Sequence, residues 1–213
     1  IYDRLVGSEM CIRDRPLGVL KALKSPSRSI KDFENFEVSR PWDAITSYNA
    51  PLNNPEEFEV YPNRDSIPFI EQYIFDRNWK IKQFVRGTLR LKGWAQAWAS
   101  IFNEIETLNG QAGEKRLIEM SEQFWRDNAY ADNEPDRVIL CVDLKAEQNN
   151  HVIWHKTYKM DAWGDTRGTA MARLVSYPVS FAVKAIIDND TDHGVSAASS
   201  KSYLVDNWLK DIS

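Results

Sequence analysis

An α+β fold, with a mixed or antiparallel sheet and helices packed on one face, follows from three patterns in the chain. Residues 137–147 and 151–163 each alternate apolar and polar side chains around the turn Gln148-Asn149-Asn150, which is a β-hairpin signal. Trp94, Trp98, Ile101, Phe102, Ile105 and Leu108 recur at helical spacing, and Leu117, Ile118, Ser121, Phe124 and Trp125 do so over 114–128. Helices with one apolar stripe must bury it, and a sheet is the surface at hand.

The other elements follow in order. Residues 17–23 read as a brief helix that ends before Ser25-Pro26, since a residue ahead of proline avoids α geometry. Residues 36–38, 44–48 and 58–61 read as short strands, and 50–55, with two Pro and two Asn, as a loop. A turn over 63–68 leads into a short helix over 67–73, with Ser66 as its cap. Residues 80–91 read as one strand. The helix from Trp94 is expected to stop at Asn109-Gly110, a C-cap signal, and 132–135 is a turn. Residues 169–187 are apolar nearly all round, which requires burial on most sides, and Pro178 should kink or split that helix after Ser176. A short amphipathic helix over 203–212 closes the chain.

Composition narrows the function. The chain has 213 residues and a formal charge of −4, with basic residues interspersed among acidic ones, so neither nucleic acid nor a membrane surface is the expected partner. No stretch reaches about 18 consecutive apolar residues, so no membrane span is expected. Eight Trp call for a sizeable core and some docking surface. Cys141, in an apolar strand, reads as a reduced core thiol of a cytoplasmic protein.

Two blocks carry candidate chemistry. Tyr61-Pro62-Asn63-Arg64-Asp65-Ser66-Ile67-Pro68 is a turn bounded by prolines, and Phe84-Val85-Arg86-Gly87-Thr88-Leu89-Arg90-Leu91-Lys92-Gly93 reads as strand. On one strand, Arg86, Thr88 and Arg90 share a face opposite Val85, Leu89 and Leu91. The two guanidinium stems then leave the backbone about 13 Å apart. Guanidinium forks suit carboxylates, so with Arg64 nearby the face fits an elongated polycarboxylate. A solvated sheet face explains the same spacing equally well. In the turn, Asp65 or Ser66 could simply cap a helix, with Arg64 paired to Asp65 or to solvent.

Other constellations fall away. His151 and His155 lie about 13 Å apart on a strand, too far for one metal ion, and no His/Cys cluster accompanies them. His193 has no partner in sequence. There is no Gly-x-Ser-x-Gly, and Cys141 sits mid-strand, away from any helix N-terminus that would activate it.

The wording of the two blocks, Tyr-Pro-Asn-Arg-Asp-Ser and Arg-Gly-Thr-Leu-Arg, resembles the substrate domain of the saccharopine dehydrogenase family, of the NADP-dependent, glutamate-forming type. Gly168-Thr169-Ala170-Met171-Ala172-Arg173, the following apolar run with Pro178, and Gly194-Val195 resemble the family's C-terminal part in the same order. The resemblance covers residues 16–213. It implies an NADP-dependent oxidoreductase of lysine metabolism and amino-acid biosynthesis, which reduces an imine to, or oxidises, the secondary amine of saccharopine. It further implies a small amino-acid substrate bound by Arg64, with Asp65, Arg86, Thr88 and Arg90 supplying further polar contacts and Gly87 letting the backbone approach the ligand. Asp65 is a weak candidate for the acid/base group, whose identity is otherwise open.

Family members begin with a Rossmann domain, whose Gly-rich turn seats the dinucleotide on a helix N-terminus. No Gly-x-Gly-x-x-Gly occurs in this chain; Gly110/Gly113 and Gly164/Gly168 lack both the spacing and the preceding strand. The expectation is therefore a C-terminal portion of a longer enzyme, inactive alone, with NADP bound mainly by the absent domain. Residues 16–167 would form the substrate and dimerisation domain, allowing a homodimer. Residues 168–213 would be helices returning to the nucleotide-binding domain. Residues 1–15 resemble a translated sequencing-adapter read-through rather than a signal peptide. Two alternatives remain: a carboxynorspermidine-type polyamine dehydrogenase of the same fold, and a non-catalytic ligand-binding or dimerisation module.

Overall fold

The structure, a computed structural model, describes residues 16–128, 131, 134–195, 199 and 201–212. The leader 1–15 and part of the turn expected over 132–135 lie outside them. The described residues form an α+β arrangement of small antiparallel sheets and helices, in two compact units.

The first unit runs to Glu134 and takes in Val138–Asp161. Helix α1 (Pro16–Lys24) leads into a hairpin, β1 (Ser27–Lys31) and β2 (Glu34–Val38). Its two-residue turn, Asp32-Phe33, has φ of 52° and 70°, the conformation that matches strand twist in tight hairpins. Strand β1 was not expected from the sequence, because its inward residues are Ser27 and Ser29, which are buried yet polar. A second sheet has the order β3 (Thr46–Ala50), β4 (Glu56–Pro62), β6 (Gly87–Leu91), while β5 (Gln83–Phe84) joins the first sheet beside β1.

Register assigns the faces of this second sheet. Glu59 opposes Arg90 and Tyr61 opposes Thr88, so these four share one face. That face meets the main core of Tyr61, Trp94, Trp98, Phe102, Ile105 and Leu117, to which α1 contributes Leu20 and Leu23. Here Tyr61 stacks on Trp94 at 5.3 Å between ring centroids, and Trp42 on Phe102 at 5.0 Å. The opposite face carries Phe58, Leu89 and Leu91, which pack with Ala50, Leu52, Ile139 and Cys141.

The expected helix from Trp94 is two pieces, α3 (Trp94–Ala97) and α4 (Ala99–Thr107), broken at Trp98. Glu59 caps the first piece, accepting from the backbone N–H groups of Gly93 and Ala95 at 3.0 and 2.7 Å. Asn109-Gly110 starts a helix instead of ending one: α5 spans Gly110–Asp127 with Asn109 extended at its N-cap. The bare α-carbon of Gly113 permits this tight start, since a Cβ there would lie 2.7 Å from the Leu108 carbonyl carbon. Leu117 and Met120 are buried, whereas Ile118 and Trp125 of the expected stripe are exposed.

The long hairpin, β7 (Arg137–Gln148) and β8 (His151–Trp163), has a two-residue turn, Asn149-Asn150, rather than three, with φ of 51° and 62°. Asparagine tolerates this left-handed conformation.

The second unit comprises Pro135–Arg137 and the chain from Ala162. Its helices are α6 (Ala170–Ile187) and α7 (Ser202–Ile212). The Gly168–Arg173 motif builds the start of α6. Thr169 caps it by accepting from Ala172 N–H at 3.1 Å, and the buried Asp136 carboxylate accepts from Ala170 and Met171 N–H at 2.7 and 2.8 Å. A negative group belongs at a helix N-terminus, where the first N–H groups lack partners. Arg173 is held to Asp165 at 3.1 Å and to the Trp163 carbonyl at 2.5 Å. Pro178 does not split α6, which is continuous through it. By length and composition α6 could cross a membrane, a match that a search for unbroken apolar runs does not find.

Candidate functional site

The turn after β4 is held from two sides. Arg28 of β1 brackets it: its N–H donates to the Arg64 carbonyl at 3.0 Å and its carbonyl accepts from Ser66 N–H at 2.8 Å. On the other side Asn63 N–H donates to the Arg86 carbonyl at 2.8 Å, and Arg86 N–H donates to Ser66 Oγ at 3.0 Å. Ser66 is fully buried, and its hydroxyl thus serves the β5–β6 junction rather than capping α2 (Pro68–Gln72) as expected. The Asx-type bond belongs to Asp65, whose Oδ1 accepts from Ile67 N–H at 3.0 Å while Oδ2 meets Arg28 Nη1 at 3.2 Å. Ile67 is in α geometry (φ −58°, ψ −43°) despite the proline that follows.

Fixed in this way, Arg64 takes φ 54°, a conformation that a non-glycine residue keeps only where its surroundings over-determine it. Its side chain is exposed and has no hydrogen bond or ion pair among the described residues. It does not pair with Asp65, which is already engaged by Arg28; Arg28 in turn also bonds Glu37 Oε1 at 3.1 Å. Sequence reading missed Arg28 because it missed β1. An open hollow of about 480 Å³ adjoins the turn, lined by Arg28, Asp65, Ile67, Pro68, Ile70 and Glu71. Of the expected site residues Asp65 is part of that lining, whereas Arg64, Arg86, Thr88 and Arg90 are not.

The single strand expected over 80–91 is broken at Val85-Arg86, where the chain leaves one sheet for the other. Arg86, Thr88 and Arg90 therefore do not form one continuous strand face. Arg86 is exposed, with its guanidinium 3.6 Å above the Phe69 ring, a stacked arrangement that suits arginine. Thr88 is half-buried. Arg90 is 1% exposed; it donates to Tyr61 Oη at 2.9 Å and lies against the Tyr61 and Trp94 rings. Gly87 is exposed, and its bare α-carbon faces Val60. A Cβ there would meet Val60 Cγ2 at 2.7 Å, so the space serves close packing of β6 on β4.

The histidines take ordinary roles. His151 Nδ1 lies 2.8 Å from the Asn149 carbonyl, and His155 Nε2 lies 2.6 Å from Asp143 Oδ1, which also accepts from Thr157 Oγ1 at 2.6 Å. The Thr157 hydroxyl, then His155, hold the Asp143 carboxyl below its ordinary range. No group of three metal-ligating side chains occurs among the described residues.

The first unit thus presents Arg64, without a side-chain partner among the described residues, on a braced turn near this hollow. The chain belongs to the saccharopine dehydrogenase C-terminal domain family, whose pattern it matches over residues 15–212. Among solved structures it is similar to the apo histidine-tagged saccharopine dehydrogenase (L-Glu forming) from Saccharomyces cerevisiae, with a TM-score of 0.70 and 21% identity. That likeness covers 93% of this chain and 58% of the yeast one, so the chain spans little more than half of it. No curated protein matches.

Proposed function

We propose that the chain is the substrate-binding portion of an NADP-dependent oxidoreductase acting on the C–N bond of saccharopine or a close relative. Family membership and the fold likeness to the yeast enzyme support this reading. The observation that carries it is Arg64, an exposed guanidinium without a partner among the described residues, held in a left-handed turn by bonds from β1 and from the β5–β6 junction. A free fork on a rigid support can take a carboxylate bidentately at little entropic cost. Arg86, stacked on Phe69, offers a second fork, and Thr88, half-buried on β6, is the hydroxyl among the expected contacts. Asp65 braces the turn through Arg28 and Ile67 N–H, a positioning role. Arg90 supports Tyr61 from within the core.

The chain carries no Gly-rich turn between strand and helix, so its residues do not fit the dinucleotide. NADP belongs to a separate nucleotide-binding domain, where it would supply the hydride. What this portion supplies is orientation of a polycarboxylate substrate, which lowers the barrier by placing the reacting carbon.

Arg64→Ala in the full-length enzyme tests this. Losing a charge-assisted bond of about 1.5–3 kcal/mol should raise KM for saccharopine by roughly one to two powers of ten. KM for NADP should stay nearly constant, and Arg64→Lys should rescue only partly, because an ammonium has no planar fork. A lowered melting temperature with unchanged kinetics would reduce Arg64 to a turn residue.

A further inference from the structure

Ser66 ties together the two exposed arginines of the candidate site. It is fully buried, and each of its polar groups bonds a different part of the chain. Its N–H donates to the Arg28 carbonyl at 2.8 Å, its Oγ accepts from Arg86 N–H at 3.0 Å, and its carbonyl accepts from Phe69 N–H at 3.1 Å. The Phe69 ring in turn lies 3.6 Å below the Arg86 guanidinium. Main chain and side chain of Arg86 are thus both held through Ser66, the first directly and the second by way of α2. From the other side, the Arg86 carbonyl accepts from Asn63 N–H at 2.8 Å. The β4–β6 register, continued by one residue, sets Asn63 opposite Arg86. Opposed residues in such a ladder have α-carbons about 4.5–5.5 Å apart, so Arg64, next to Asn63, and Arg86 leave the backbone within reach of a single ligand. Burying a hydroxyl is costly unless it is hydrogen-bonded, and here its partner is the amide of Arg86.

We propose that Ser66 is a positioning residue that sets the spacing of the Arg64 and Arg86 forks, and so selects the separation of the two carboxylates that the substrate presents. This rests on the reading of both arginines as carboxylate-binding groups. Two forks on a rigid support hold a ligand best when its carboxylates match their separation, because hydrogen bonds form only over about 2.7–3.2 Å between heavy atoms. Without Ser66 Oγ the Arg86 amide loses its acceptor and the β5–β6 junction loosens, so the forks accept more than one separation. Ser66 is enclosed and acts only through Arg86 and α2.

Succinate, glutarate and adipate, used as competitive inhibitors against saccharopine in the full-length enzyme, read that spacing. The native enzyme should prefer one length at least about fivefold, the worth of a single hydrogen bond. Ser66→Ala should bring the three inhibition constants within about twofold of one another, whereas a merely structural role would shift all three together. Ser66→Cys, which keeps a weak acceptor, should fall between. Should Ser66→Ala misfold, Phe69→Leu decides, since it keeps an apolar contact and removes the ring beneath Arg86; it too should flatten the preference. Arg64→Ala should weaken all three inhibitors. A native enzyme that binds the three alike overturns the proposal. So do Ser66 and Phe69 variants that keep the native ratios while Arg64→Ala weakens all three, an outcome that leaves the carboxylate reading standing. Arg64→Ala that changes none of the three overturns that reading, and the positioning role with it.

Discussion

At the scale of single residues, what decides the candidate site is which polar groups are already engaged. Arg64 and Arg90 look alike in sequence, yet one is exposed and without a side-chain partner among the described residues, and the other is enclosed by Tyr61 and Trp94. A period-2 pattern cannot separate them, because it does not show that Trp94 and the helices after it fold back over the face that holds Arg90. The same holds for Tyr48, which packs with Cys141 around Ala50, Leu52 and Phe58. Burial, then the proximity and hydrogen bond of that thiol, push its pKa up to about 12. A phenol favoured as neutral in the folded state adds stability that is whole below its unfolded pKa of roughly 10 and fades as pH rises from there through the folded value. Melting temperature should therefore fall more steeply between about pH 10 and 12 in the native chain than in Tyr48→Phe. Equal slopes in the two proteins would mean that Tyr48 ionises as it does in the unfolded chain.

At the scale of elements, the sequence was legible where periodicity was strong and one-sided. The β7–β8 hairpin and helices α4 and α5 emerge from spacing alone, although Ile118 and Trp125 of the stripe expected on α5 are exposed, and so does the long apolar α6. Illegible were features settled by tertiary partners: β1, with serines inward; the break at Trp98; and the passage from β5 to β6 between two sheets. Asn109-Gly110 reads equally as a stop or a start, and only Gly113 against Leu108 decides it. Of the candidate site, Arg64 and its turn were readable, whereas the brace from Arg28 and the burial of Arg90 were not. The start of α6 shows how much one capped end depends on a distant residue. Gly164 lets Asp136 reach the helix N-terminus, since a Cβ there would lie 2.4 Å from Asp136 Oδ1. Gly164→Ala should displace that carboxylate and cost about 1–3 kcal/mol in chemical denaturation. Asp136→Asn should cost part of that, and the double variant less than the sum, because both act on one contact. Full additivity would show that Gly164 is needed for its backbone alone.

At the scale of the whole molecule, the two units differ in how well each buries its apolar surface. The first has a core of aromatic and aliphatic side chains at or near full burial, Trp94, Leu20, Leu23, Ile105 and Leu117 among them. The second has few such residues: Ala170, Ala185 and Leu204 are buried, while Val175, Val179, Val183, Ile186 and Ile187 on α6 are exposed. Helical hydrogen bonds alone hold an 18-residue segment only marginally, so α6 should open far more readily than α4 or α5, which the main core secures. Hydrogen exchange of the isolated chain should show fast α6 amides beside slow ones in α4 and α5. In a longer protein carrying the dinucleotide-binding domain, the α6 amides should slow towards the values of the core helices, because that domain would cover the open apolar face. Exchange in α6 as slow as in α5 in the isolated chain would mean that the second unit needs no partner, and the proposed return of these helices to a nucleotide-binding domain would lose its physical ground.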